Sequence, residues 1–158
     1  MRCTLKKERI KSMKIEIRLA VESDDEALAK IGREDMGYAE ATAELTKEKL
    51  HKALAKDYER IFVAVCEGAV VGFVHAAQYD VLYYPTMINI LGLAVSGAYR
   101  RQGLATKLMA AVEDWARETG VKEIRLNSGI TRRGAHDFYR QNGFDNEKEQ
   151  KRFLKTLE

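Results

Sequence analysis

Apolar and polar residues alternate from Ile15 to Leu19, the pattern of a half-buried strand. Ser23, Asp24 and Asp25 follow as helix caps, and Ala27, Leu28 and Ile31 give a short helix one apolar face. No regular period runs through Gly32 to Leu45. Thr46 then reads as the cap of a second helix reaching Tyr58, with Leu50 and Leu54 on one face. Two β-rich runs, Ile61 to Cys66 and Val70 to Ala77, flank Glu67-Gly68, which reads as a hairpin turn because glycine accepts positive φ. Pro85 is expected to separate that hairpin from a strand over Met87 to Val95, and Gly92 inside this strand predicts a bulge or a close backbone approach.

Leu104, Leu108, Val112 and Trp115 recur at helical spacing, so the longest helix is predicted over Gly103 to Thr119, with Gly120 as its left-handed stop. Val121 to Asn127 is the next predicted strand. Thr131 to Asn142 is a helix with Ala135, Phe138 and Tyr139 on one face and Gly143 at its end; Phe144 and Lys151 to Leu157 supply one or two last strands. Strand, helix, strand from Met87 to Asn127 calls for a parallel pair, and the hairpin calls for antiparallel pairing. An α/β fold follows, a mixed sheet with helices on both faces.

At 158 residues, 46% apolar and 32% charged, the chain suits one domain with one hydrophobic core. A net charge of +3, with basic and acidic residues interleaved, argues against a nucleic-acid partner. No uncharged apolar run approaches the length of about 18 residues that a membrane span needs, so no membrane partner is expected. Cys3 and Cys66 have neither metal-ligand spacing nor a disulfide framework, so no metal is expected and a reducing cytoplasm is the expected location. Residues 1–13 are basic, lack a secretory apolar stretch and read as a flexible leader.

Arg100-Arg101-Gln102-Gly103-Leu104-Ala105-Thr106 joins a strand to the start of the longest helix. The first amides of a helix lack intrahelical acceptors, and an anion can take them. Gly103 and Ala105 keep the side-chain wall low, and the two arginines add charge suited to phosphate. The loop has neither the Walker A pattern nor the dinucleotide fingerprint. On local features alone it reads equally as a phosphate cradle or as a surface turn with two solvated arginines.

Arg100-x-x-Gly103-x-Ala105 resembles the acyl-coenzyme A signature of the GNAT superfamily of N-acetyltransferases. Leu93-Ala94-Val95 resembles that family's splayed fourth strand. The segment Ala135-His136-Asp137-Phe138-Tyr139-Arg140-Gln141-Asn142-Gly143-Phe144 is similar to its later helix, and Ile15-x-Ile17-Arg18-x-Ala20 to its opening. The resemblance implies a single GNAT domain over residues 14–158, with a mixed sheet of about six to seven strands. It implies acetyl-coenzyme A as cosubstrate and direct acetyl transfer to an amine in a ternary complex.

By the same resemblance, the pyrophosphate lies on Arg101, Gln102, Gly103, Leu104, Ala105 and Thr106, with Arg100 beside it. The pantetheine arm runs along Leu93, Ala94 and Val95. Asn127 completes the cofactor set, and Arg132, at the start of the later helix with Arg133, reads either as a phosphate contact or as a solvated arginine. The backbone N–H near Leu93 is the oxyanion donor, and Tyr139 is the general acid for the leaving thiolate. From spacing alone Tyr139 reads as a core aromatic beside Phe138. Homodimers are common in the family, and no residue here fixes an interface.

Several departures from the pattern matter. Arg132 stands where many relatives carry asparagine, and Gly97 where a proline is common. The strand Met87 to Val95 holds no carboxylate, so the base many relatives place there is missing. An ammonium of pKa about 10.4 must still lose a proton. Glu34, Asp35, His75 and Asp80 are the candidates, with Asn89 as a holder of a relay water. Glu34, Asp35, Glu40 and Glu44, around Met36 and Tyr38, suggest either an acidic mouth for a cationic amine or a solvated charged loop; Glu34, Asp35 and Tyr38 are the substrate-contact candidates. A non-catalytic acyl-coenzyme A sensor on the same fold is the rival reading.

Overall fold

The computed structural model describes residues 13–158, so the basic leader falls, but for Met13, outside the described residues. The described chain divides into two compact units at Leu126/Asn127. Among the described residues no helix is long and apolar enough to cross a membrane.

The first unit is a five-stranded mixed sheet in the order β1-β2-β3-β4-β5. Its strands are β1 (Ile15–Leu19), β2 (Glu59–Cys66), β3 (Ala69–Val81), β4 (Tyr84–Val95) and β5 (Ile124–Leu126). The first four pair antiparallel, and β5 joins β4 in parallel. Helices α1 (Asp25–Glu34) and α2 (Ala43–Leu54) cross from β1 to β2, and α3 (Leu104–Glu118) crosses from β4 to β5. The strand–helix–strand unit therefore closes as the parallel pair that a crossover helix imposes.

The two faces of the sheet separate by residue parity. Ile61, Val63 and Val65 of β2 pack with Leu28, Leu50 and Ala53, so α1 and α2 cover one face. Arg60 points the other way and lies 5.5 Å over the Trp115 ring of α3. Leu104, Leu108, Met109, Val112 and Trp115 of α3 are all buried, as the sequence period requires. Arg18 and Asp24 brace the edge where β1 meets α1. Two hydrogen bonds of 2.8 and 2.9 Å join them, and Asp24 also accepts from the Val21 N–H.

Several boundaries differ from those the sequence suggests. Thr42, not Thr46, caps α2, its hydroxyl accepting from the Leu45 N–H at 3.2 Å. Glu67 and Gly68 take φ of 48° and 82° and close the expected hairpin. Pro85 does not separate β3 from β4. The strands run on to Val81 and from Tyr84, and the proline sits at the start of β4, where the register shifts and a missing donor is tolerated. The bulge residue is Leu91 and not Gly92 itself: Ala76 pairs with Ile90 and His75 with Gly92, which leaves Leu91 over.

The strand expected over Val121 to Asn127 shortens to Ile124–Leu126. The sheet has five strands and not six to seven, because residues 142–158 form none. Eight consecutive positions there, Asp145 to Arg152, carry no apolar side chain, and Phe153, Leu154 and Leu157 are exposed. The second unit contains one helix, α4 (Arg133–Gln141), which ends at Gly143 with φ of 87°.

Candidate functional site

Strand β4 outruns its partner. The parallel pairing with β5 stops at Ile90↔Leu126, while β4 continues to Val95. From Leu91 onward that side of β4 has no strand beside it among the described residues. Amide direction along this half follows from two contacts. The Ser96 N–H donates to the Val71 carbonyl on the β3 side, and the Val95 carbonyl faces away, accepting from Arg100 Nε at 3.1 Å. Successive backbone groups of a strand point to opposite sides, so the Leu93 N–H shares the open side with Val95. The predicted residues Leu93, Ala94 and Val95 thus form a half-free backbone edge.

The chain then enters the predicted loop through a short turn, Gly97–Tyr99. Arg101 and Gly103 both adopt left-handed φ, 60° and 78°. For arginine this is a strained choice; for Gly103 it is free, and a Cβ there would meet nothing within 4 Å. Gly103 caps α3 without a side-chain acceptor. The first turn bond is Lys107 N–H to Gly103 carbonyl at 3.1 Å. The N–H groups of Arg101, Gln102, Gly103, Leu104, Ala105 and Thr106 have no acceptor among the described residues. Six adjacent donors thus stand at the positive end of a 15-residue helix, an arrangement that can receive an anion.

Arg100, expected beside the phosphate, is engaged with the protein. Besides Val95 it donates to the Asp35 carbonyl at 3.4 Å and lies 3.7 Å from the Asp35 carboxylate. Asp35, expected at the acceptor, instead accepts from the Gly97 N–H at 2.9 Å. Together they clamp the end of α1 to the turn that opens the loop.

On the α1/α2 face a pocket of about 370 Å³ is lined by Leu28, Met36, Leu45, Ile61, Phe73 and His75, among others. Tyr38, Glu40 and Lys49 stand on its wall. Glu34 and Glu44 are exposed and do not line it, so the acidic cluster of the sequence disperses. The carboxylate that does line it, Glu40, shares the wall with the ammonium of Lys49. The pocket adjoins β4: His75 pairs with Gly92, where an added Cβ would lie 3.6 Å from Phe73 and 3.8 Å from Met36.

The other base candidates are placed as follows. Asp80 is exposed and accepts from the Thr86 hydroxyl at 3.0 Å. Asn89 faces β5, and its side-chain oxygen accepts from Arg125 at 3.0 Å. Arg125 in turn lies 4.5 Å over the Tyr79 ring. His75 Nε2 is 3.0 Å from Glu59 Oε2. Sequence reading missed Glu59, Phe73 and Arg125, because their roles come from cross-strand neighbours.

In the second unit, Tyr139 stands edge-on to Phe138 at 5.4 Å and to Phe144 at 5.7 Å. Burial pushes its phenol above the ordinary tyrosine range, against a smaller opposing effect of the Arg132 charge. Its hydroxyl has no hydrogen-bond partner among the described residues. Arg132 is exposed and precedes α4. Asn127 is exposed, and next to it the buried Ser128 hydroxyl lacks any partner among the described residues. Such a group is rare in a folded chain, and no sequence pattern marked it.

A model of the acetyltransferase (GNAT) family matches residues 25–144. The chain is 34% identical over 87 residues to N-acetyltransferase 8 of Homo sapiens, covering 52% of this chain and 37% of that protein. It is 32% identical over 96 residues to the aminoalkylphosphonate N-acetyltransferase of Salmonella typhimurium, covering 60% of this chain and 61% of that one. The chain thus spans less than two thirds of either relative. Among solved structures, an aminoglycoside N-acetyltransferase in complex with coenzyme A superposes with a TM-score of 0.82 at 18% identity, over 92% of this chain and 97% of that one. At that identity the likeness carries the fold.

Proposed function

The chain belongs to the GNAT acetyltransferase family, and from that premise we propose that it transfers the acetyl group of acetyl-coenzyme A to a primary amine. Residues 14–158 form the acyltransferase domain in this reading. The observation that carries it is the row of six unpartnered amides from Arg101 to Thr106 at the start of α3. A diphosphate satisfies such a row, and its charge suits the helix N-terminus.

The remaining assignments follow from that anchor. The pantetheine arm lies along Leu93 to Val95, whose backbone offers hydrogen bonds as a sheet edge does to an added strand. The Leu93 N–H receives the thioester oxygen and stabilises the oxyanion that develops during attack. Tyr139 returns a proton to the departing thiolate, a role that suits a phenol kept protonated by burial. Asn127 is a further cosubstrate contact in this reading. Arg100 orients the loop, and Arg101 and Arg132 meet phosphate charge.

Calorimetry with acetyl-coenzyme A and a thiol-release assay over an amine panel test the reading. The panel holds alkyl- and arylalkylamines, spermidine, an aminoglycoside and an aminoalkylphosphonate, the last two chosen from the relatives' names. Binding with amine-dependent thiol release supports it. Binding with no release for any amine turns the protein into an acyl-coenzyme A sensor. No heat of binding by folded protein sinks both.

A further inference from the structure

The transferase reading leaves one chemical need unmet, since β4 carries no carboxylate to take the ammonium proton of the acceptor. We propose that His75, held by Glu59, is that base, and that the acceptor reaches it with its apolar body in the pocket of α1, α2, β2 and β3. This inference rests on the transferase reading and adds the base and the substrate class to it.

Glu59 and His75 face the same side of the sheet as α1 and α2. Ile61 of β2 pairs with His75, and Glu59, two residues earlier, pairs with Ala77. The Glu59 side chain is only 12% exposed and is held by two partners, Lys56 Nζ at 2.6 Å and His75 Nε2 at 3.0 Å. Burial alone would raise its carboxyl, but the hydrogen bonds from Lys56 and His75 outweigh that and hold it below the usual range. An ionised carboxylate can only accept, so in the neutral ring Nε2 carries the hydrogen and Nδ1 the lone pair. Nδ1 has no partner among the described residues. A carboxylate behind the ring also stabilises the imidazolium that forms when Nδ1 takes a proton.

Position gives the rest. His75 stands directly across from Gly92, one residue before the Leu93 amide. The base and the assigned thioester position are thus neighbours on adjacent strands. The pocket wall beside His75 is Ile61, Phe73, Met36 and Leu28, all apolar. The charged and titratable groups facing His75 are Glu59 from β2 and, across the pocket, Tyr38, Glu40 and Lys49; β4 contributes Gly92, without charge. Glu40 and Lys49 offset one another, so the pocket favours a monoamine with an apolar body over a polycation.

In the step itself, the ammonium proton passes to Nδ1. The freed nitrogen lone pair forms the bond to the thioester carbonyl carbon, and the carbon–sulfur bond breaks with its electron pair on sulfur, which Tyr139 protonates; the second proton on that nitrogen, made acidic by the new bond, passes to the Tyr139 phenolate, so the amide leaves neutral and the phenol is restored. His75 later releases its proton to solvent.

Steady-state rates with phenethylamine, as a function of pH, test this for wild type, His75→Gln and Glu59→Gln. His75→Gln should lower kcat/KM for the amine by about 10²- to 10⁴-fold near pH 7, the usual worth of a general base, with calorimetric affinity for acetyl-coenzyme A unchanged. The deficit should shrink as rising pH supplies free amine. Glu59→Gln removes the carboxylate that favours imidazolium, so its ascending limb should move to lower pH. A purely structural histidine would leave the shape of the profile unchanged in both variants, and that result overturns the assignment. If His75→Gln fails to fold, the Glu59→Gln limb decides alone. Wild type that prefers spermidine to phenethylamine overturns the apolar acceptor. Failure of wild type to bind acetyl-coenzyme A, or to release thiol with any amine, instead defeats the transferase reading beneath.

Discussion

The Asp35 carboxylate accepts the Gly97 N–H at 2.9 Å across 62 residues of sequence. It ties the end of α1, which borders the pocket, to the turn that opens the six-amide loop. The Arg100 guanidinium reinforces the tie from the Val95 and Asp35 carbonyls. Asp35→Ala removes the carboxylate and hands the exposed Gly97 N–H back to water, at about 0.5–1.5 kcal/mol of stability. Affinity for acetyl-coenzyme A should fall about tenfold, since 1.4 kcal/mol is a factor of ten. Urea unfolding and calorimetry on the same variant read the two losses. Unchanged affinity would separate the clamp from the cradle.

Gly103 holds φ of 78° with open space around its missing side chain. Gly103→Ala therefore meets no clash, and its effect is the left-handed backbone penalty of about 1–2 kcal/mol. The loop is expected to relax toward other conformations and scatter its donors. Acetyl-coenzyme A binding should weaken by tenfold or more, while Gly97→Ala, without positive φ, should change it far less. Calorimetry on the pair checks the contrast.

Tyr139→Phe removes a hydroxyl that has no partner among the described residues, so folding stability should change by less than about 0.5 kcal/mol. If the phenol is the acid, kcat falls by about 10²-fold, and the KM for acetyl-coenzyme A stays near wild type. Burial holds the phenol above its ordinary pKa of about 10. The descending limb of the wild-type profile should therefore lie above pH 10 and be missing in the variant.

Asp24 is a buried carboxylate, 5% exposed, gripped by Arg18. Burial pushes its pKa up, but the Arg18 hydrogen bonds and the Val21 N–H push it down further, to a net depression. A depressed folded-state pKa gives stability that is full above the unfolded value of about 3.9 and is lost as pH falls through the folded value. Asp24→Ala should cost about 2 kcal/mol at pH 7, less than a fully buried pair would, because Arg18 is partly exposed. The difference from wild type should narrow below pH 4. Urea titrations from pH 3 to 7 check both sign and window.

Local chemistry determined what the sequence alone could tell. Glu67-Gly68 closes a hairpin because its positive φ angles are met within two residues. The α3 period, Leu104, Leu108, Val112 and Trp115, survives as a wholly buried face, and the loop before it keeps its donors free because Gly103 caps a helix without a side-chain oxygen. These features depend on neighbours a few positions away, and of them the loop was among the segments that carried the family resemblance.

Tertiary structure decided the rest. Leu91, not Gly92, takes up the bulge because the β3–β4 register assigns the surplus residue. Arg100 and Asp35 form a clamp because two distant segments meet at the end of β4. Glu59 gained its place beside His75 only when β2 and β3 paired. Such roles arise from contacts between residues remote in sequence, and register and packing, which depend on the whole sheet at once, choose those contacts.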